Sequence, residues 1–312
     1  LEANIVSEGQ QGDGQSAHLG SFDTTESGFL IPNTDDVAVQ YGAATHRGNV
    51  RDRNEDHYVI VRQKRSREIL STNVDLEVLD LPRDEAYTLI VADGAGGEGF
   101  GHLASQLAIR TTWESARRAA GWLMNLTDAD ANEIKDRFVS YAKLIQQAFL
   151  AYTRKNPDVA GMATTWTCAH VSAWDAVIAH VGDSRAYHGR ADRFQQITHD
   201  HTLAEELRKS GASPAKVANF QNVLTRAFGA QGEEVIPDVH QIQLQDGDAL
   251  LLCSDGLTSV VDDQQITATV FAHNAPQAAC DELVQLALNN GGPDNVTALL
   301  LRVFAREKAK GQ

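Results

Sequence analysis

Val171-Ser172-Ala173-Trp174-Asp175-Ala176-Val177 is the stretch on which the fold turns. The run before it, Thr165 to Ser172, is apolar and rich in β-branched residues, and Ala176 to Val181 after it has the same character. Two such runs with only a short break between them read as a β-hairpin, which makes the paired strands antiparallel. Thr88 to Ala92, Arg185 to His188, Ala249 to Cys253 and Val296 to Val303 are further strand-like runs bounded by turn residues. The helices come in pairs instead of alternating with strands. Ile134, Phe138, Tyr141, Ile145, Phe149 and Tyr152 step at three and four residues, the apolar stripe of one long helix. Another is predicted from about Gly101 to Trp122, with Leu103, Ala104, Leu107 and Ala108 facing inward. A third runs from Pro276 to Leu288 and stops at Asn289-Asn290-Gly291-Gly292, and a shorter one fits Thr202 to Ser210. Antiparallel sheets covered by helices, an α+β arrangement, follow from this pattern; a parallel doubly wound sheet does not.

Residues 1 to about 40 are rich in Gly, Ser, Gln and Asp and read as a flexible N-terminal extension. Short apolar runs begin at Val37 and continue to Val303 with no second break and no repeat, so one domain is expected. The chain begins at Leu1, which fits a trimmed chain or a piece of a longer one, and nothing at its start reads as a signal peptide. A net charge of −15, from 27 basic against 42 acidic side chains, is the wrong sign for binding nucleic acid through phosphates. No apolar run approaches the roughly 20 residues that span a bilayer. Cys168, Cys253 and Cys280 have no metal-type spacing, and Cys168 and Cys253 lie within apolar runs. Reduced core thiols and a cytoplasmic setting are expected.

The chemical signal is a series of short acidic segments. They are Arg51-Asp52-Arg53-Asn54-Glu55-Asp56, Ala92-Asp93-Gly94-Ala95-Gly96-Gly97, Gly182-Asp183-Ser184-Arg185, Ser254-Asp255-Gly256 and Gly292-Pro293-Asp294-Asn295. A carboxylate at the end of a buried strand is costly unless a cation meets it. Any one of these could be a cap, a turn or a solvated ion pair. As a set they point to convergence, and magnesium or manganese suits an all-oxygen cluster. Gly94 to Gly99 also satisfies G-x-G-x-x-G, with Glu114 twenty residues on. Against a dinucleotide site, Asp93 would repel a pyrophosphate, and the strands downstream form hairpins. Read as a strand, residues 51–56 place Arg51, Arg53 and Glu55 on one face and Asp52, Asn54 and Asp56 on the other.

In order, the segments Thr45 to Asp56, Asp93 to Gly97 with Gly101 and Ala104-Ser105, Ala163-Thr164-Thr165, Val181 to Tyr187, Thr198 to Thr202, Leu224 to Gly229, Ser254 to Thr258 and Gly291 to Thr297 resemble the metal-dependent protein phosphatases, the type 2C serine/threonine family in its bacterial style. The resemblance spans residues 41–303. It implies a four-layer α-β-β-α sandwich over 41–304, two antiparallel sheets flanked by helix pairs, followed by a polar tail at 305–312. It further implies a signalling hydrolase acting on phosphoserine and phosphothreonine proteins, opposite a cognate kinase, by direct attack of a water activated at a dinuclear Mn2+ or Mg2+ site. By the same resemblance Asp93 bridges the two cations and the Gly94 carbonyl binds one. Asp255 and Asp294 hold the other. Glu55 and Asp56 contribute directly or through water, and Asp183 with Asp255 makes a weaker third site. Arg51 matches the phosphate-binding arginine, and residues 202–223 match a mobile flap. One departure is Ala95, where some members carry a histidine proposed as general acid; His199 and His201 read as turn-stabilising instead. Members lacking metal ligands serve as non-catalytic regulatory domains, but here every expected carboxylate is present. Arg62 to Ala86 is an expected specificity or partner element.

Overall fold

The computed structural model describes residues 36–65, 68–74, 84–96, 99–118, 131–229 and 234–306. The extension at 1–35, much of the 62–86 segment, the end of the helix read to Trp122 and the tail from 307 lie outside the described residues. The chain begins β1 (Val37–His46), β2 (His57–Arg65), β3 (Asp84–Ala92), β4 (Gly94–Ala95), α1 (Gly101–Arg118), α2 (Ala131–Lys155) and β5 (Ala163–Thr164). Next are β6 (Trp166–Ser172), β7 (Asp175–Val181), β8 (Arg185–Arg190), β9 (Arg193–Gln196), α3 (Leu203–Lys209), α4 (Pro214–Val217) and β10 (Asp238–Gln243). The last elements are β11 (Ala249–Cys253), α5 (Asp255–Thr258), α6 (Asp263–Ala272), α7 (Pro276–Asn289) and β12 (Val296–Ala305).

Two antiparallel five-stranded sheets result, in the orders β1-β12-β11-β8-β9 and β10-β7-β6-β3-β2, with β4 and β5 as a separate short pair. The β6–β7 hairpin closes through Ala173 and Trp174, with Ala173 at φ 49°, the left-handed geometry that two-residue hairpin turns use. β1 pairs from Val37 with Ala305, so the sandwich reaches slightly past the expected limits at 41 and 304. Residues 50–56 are not a strand. Their backbone is held by a side chain: Asn295 Nδ2 donates to the Arg47 and Arg53 carbonyls at 2.9 Å each, and the Glu55 N–H donates to Asn295 Oδ1 at 2.7 Å. The alternation of faces expected over 51–56 is therefore absent.

Three apolar layers stack through the molecule. Leu89, Val91, Ile178, Leu250, Leu252, Leu299 and Leu301 fill the space between the sheets. Ile90, Val177 and Ala179 point the other way, onto Ile134, Phe138, Ile145 and Phe149 of α2 and Ala104 and Ala108 of α1. Leu251, Cys253 and Leu300 face Ile266 and Val270 of α6 and Leu283 of α7. Both faces of each sheet are thus buried, which is why Leu89-Ile90-Val91 and Leu250-Leu251-Leu252 are apolar throughout. No helix among the described residues is long and apolar enough to cross a membrane.

The antiparallel pairing also decides where the acidic turns go. His57 at the start of β2 pairs with Ala92 at the end of β3. Cys253 at the end of β11 pairs with Ala298 near the start of β12 and with Arg185 at the start of β8. The turns carrying Asp56, Asp93, Asp183, Asp255 and Asp294 accordingly share one end of the sandwich. Replacing the fully buried Ile178 between the sheets by alanine is expected to cost about 2–5 kcal/mol in urea unfolding. Trp113→Ala, on the exposed face of α1, is expected to stay within about 0.5 kcal/mol.

Candidate metal centre

Asp56 is the most constrained of these carboxylates. It belongs to the entry of β2, yet Oδ2 accepts from Ser254 Oγ and Thr297 Oγ1 of the opposite sheet, both at 2.7 Å. Thr297 has one proton to give, so Thr45 must donate to it at 2.8 Å, and Asn54 Nδ2 donates in turn to Thr45 at 2.9 Å. Oδ1 of the same carboxylate is buried and has no hydrogen-bond partner, and neither has Glu55 Oε1. Two bare carboxylate oxygens in a buried site fit a hard cation and fit little else.

Asp93 is clamped through its backbone. Its N–H donates to Thr165 Oγ1 at 2.9 Å, and its carbonyl accepts from Thr165 N–H at 2.9 Å and Thr164 Oγ1 at 2.8 Å. The carboxyl is left facing Asp255, Asp56 and Asp183. Burial pushes the Asp93 carboxyl well up, reinforced by the charges of Asp56, Asp255 and Asp183. Burial likewise raises Asp56 to about 7 against the two hydroxyl bonds, and Asp183 to about 8 with added repulsion from Asp255. Asp255 is raised by burial too, although its hydrogen bond with Asp93 holds it down. Among the described residues no three His, Cys, Asp or Glu side chains close into a ready-made cage. The carboxylates converge within electrostatic range of one another.

Gly94 follows Asp93 with its backbone against that of Gly101: a Cβ on Gly94 would fall 2.1 Å from the Gly101 carbonyl oxygen, and one on Gly101 2.4 Å from that of Gly94. Glu55 closes the same corner, since a Cβ on Gly101 would also meet Glu55 Oε2 at 2.7 Å. Arg51, more exposed, pairs with Asp294 at 2.6 Å, which raises its guanidinium pKa above the ordinary value. Arg185 turns from Asp183 to Asp200, which it grips through Nε at 2.9 Å and Nη2 at 2.7 Å. Beside Asp183 and Asp255 lies a polar cavity of about 280 Å³, bordered by Arg208, Gln221 and Asn222 of the 202–223 segment. A larger recess of about 370 Å³, next to Arg190 and Asp248 at the far end of β8, touches none of these carboxylates.

Sequence reasoning missed the hydroxyls of Ser254, Thr297 and Thr165 and the amide of Asn295. Their one visible signal is position, each being next to or near an acidic turn.

A sandwich of this kind with a carboxylate-lined end defines a metal-dependent hydrolase. The chain belongs to the protein phosphatase 2C family, whose pattern matches residues 56–296. It is 30% identical over 269 residues to the serine/threonine phosphatase stp of Listeria innocua, covering 85% of this chain and 96% of that one. It is 32% identical over 216 residues to the protein phosphatase PhpP of Streptococcus pneumoniae, covering 68% and 84%. Among solved structures, the catalytic domain of the serine/threonine protein phosphatase PstP in complex with two manganese ions superposes with a TM-score of 0.66 at 28% identity, over 86% of this chain and 99% of that domain.

The raised carboxyls give the cation-free protein a defined pH response. Between the unfolded value of 3.8 and the folded values near 7 and 8, the folded chain binds more protons than the unfolded one. That stability is present at the acid end and lost as pH rises through the folded values. Buried histidines act oppositely, since burial pushes His57, His180, His201 and His240 down, but about a pH unit above the ordinary 6.5 all four are neutral in both states. In chelator, the melting temperature is therefore expected to fall from about pH 7.5 to about pH 8.5, and Asp183→Asn to flatten the slope. A melting temperature that climbs across this window would contradict the arrangement.

Proposed function

We propose that this chain hydrolyses phosphoserine and phosphothreonine in proteins, with two divalent cations, manganese or magnesium, held in the acidic cleft. The observation that carries the reading is the convergence of Asp56, Asp93, Asp183 and Asp255 from four separate turns, with Glu55 Oε1 and Asp56 Oδ1 left bare. In this reading Asp93 would help hold both cations, the Gly94 carbonyl would serve one, and Asp255 and Asp294 would serve the other. Glu55 and Asp56 take part directly or through water, and Asp183 with Asp255 holds a weaker third. Bound there, such cations supply Lewis acidity, offsetting phosphoryl charge and acidifying water towards neutral pH.

The chain's own residues set the rest. Arg51 binds the phosphate of the substrate, its planar fork matching two phosphoryl oxygens, and it must leave Asp294 to do so. Water displaces the serine or threonine oxygen at phosphorus, and no side chain forms a bond to it. The cysteines cannot act as nucleophiles, because burial pushes the thiols of Cys168, Cys253 and Cys280 up to about 12. Ala95 offers no proton to the leaving oxygen. Three free, buried thiols fit a reducing, cytoplasmic setting; a cognate kinase and an extension preceding one phosphatase domain, with its sandwich over 37–305, belong to the same proposal.

Purified protein is expected to release phosphate from a phosphothreonine peptide with manganese or magnesium and to stop in excess chelator. Asp93→Asn should abolish turnover with little change in unfolding midpoint, and Arg51→Ala should lower kcat/KM by about 100-fold or more. Folded, manganese-binding protein with no turnover would turn the reading to a non-catalytic regulatory domain.

A further inference from the structure

His201 stands outside the carboxylate cluster and grips the residue next to one of its members. Its backbone N–H donates to the Gly182 carbonyl at 2.7 Å, and the Gly182 N–H donates to its Nδ1 at 3.1 Å. Both polar groups of Gly182 are thus engaged by one residue, immediately before Asp183. An Nδ1 that accepts carries no proton, so the ring proton is on Nε2. There it donates to Asp238 Oδ2 at 3.1 Å, and Asp238 Oδ1 accepts from Arg226 at 2.8 Å. The His201 ring is buried and lies 4.8 Å from that of His180.

Gly182 has no slack on its other side. It sits at φ 111°, and a Cβ there would lie 2.5 Å from Thr165 Cβ. Thr165 is the residue that clamps Asp93, and its hydroxyl also meets Ser184 Oγ at 2.8 Å. His201 at the same time anchors the base of the 202–223 segment. Thr225 N–H donates to its carbonyl at 2.8 Å, Leu203 N–H donates to the Val223 carbonyl at 2.8 Å, and Thr202 pairs with Leu224.

We propose that His201 is a positioning residue: held in its Nε2–H form by Asp238, it clips the Gly182 peptide, sets the direction of the Asp183 carboxylate and links cation binding there to the base of the 202–223 segment. The proposal rests on the reading of Asp183 as a cation ligand. Metal sites depend on such supporting contacts almost as much as on the ligands themselves.

The test combines amide exchange at Gly182 in chelator with calorimetric titration of manganese into the whole chain. His201→Ala is expected to speed Gly182 exchange about 10-fold or more and to weaken the weakest manganese-binding step by about 10- to 100-fold, with the amides of β11 unchanged. His201→Asn, which keeps an acceptor near the Nδ1 position, should restore most of both. Asp238→Asn, which frees the ring to take the other tautomer, should resemble His201→Ala. Unchanged Gly182 exchange in His201→Ala would overturn the proposal. So would faster exchange with unaltered manganese affinity, loss of protection spread through β11, or an Asp183→Asn variant that binds manganese like the parent. Lack of phosphopeptide turnover by the parent would sink the phosphatase reading instead, since neither readout here depends on turnover.

Discussion

The burial of several carboxylates together at one end of the sandwich is the constraint the structure is built around. Burial raises the carboxyls of Asp56, Asp93 and Asp183, and the charge of Asp255 pushes each of them further, an arrangement that would relax outward on flexible supports. Asp93, Asp183 and Asp255 sit instead at the ends of strands covered on both faces and Asp56 at the entry of the edge strand β2, and all of these strands are locked in register with their neighbours. The paired helices on both faces matter to the site for this reason. They cover sheets that an antiparallel fold could leave half solvated, and so make the platform stiff.

The hydrogen bonds around the cleft show how that stiffness reaches individual side chains. Asp56 is bonded across the gap between the sheets by Ser254 and Thr297, so its carboxylate joins the two layers. Thr165 holds Asp93 by the backbone, which leaves its carboxyl unencumbered. In both cases the support engages the part of the residue not needed at the centre: one oxygen of Asp56, the peptide of Asp93.

The strands read from the sequence, β3, β6, β7, β8, β11 and β12, are the interior strands of the two sheets, and the four overlooked ones, β1, β2, β9 and β10, are their edges. An interior strand packed on both faces has to be apolar along its length, as Leu250-Leu251-Leu252 is. An edge strand pairs on one side only and tolerates the polar residues of Asp238–Gln243 or the partly exposed Val37–His46, which hides its period. Continuous apolar runs would also suit a parallel sheet, so the hairpin at Ala173-Trp174 was the discriminating feature. The acidic residues were legible because a carboxylate beside a glycine at a strand end is locally unfavourable. Their supports were not, since Ser254 and Thr297 are ordinary residues until the sheets bring them to Asp56. The loop at 50–56 misled for a related reason: Asn295, some 240 residues away, takes over the backbone bonds that a strand partner would have made.

Arg51 already has a carboxylate in its grasp, that of Asp294. In the proposed reaction a phosphate does not find a bare, fully hydrated cation; it takes over a guanidinium that has given up part of its water to an anion. On the guanidinium the step is an exchange of one anion for another, with Asp294 left to the cation it is proposed to hold. Exchange favours the ligand with the greater charge and the better-matched oxygens, so a dianionic phosphoester has an advantage over chloride or a side-chain carboxylate from a passing protein. Asp294 cannot serve the arginine and a cation equally well, so filling the metal site and freeing Arg51 for phosphate become linked events.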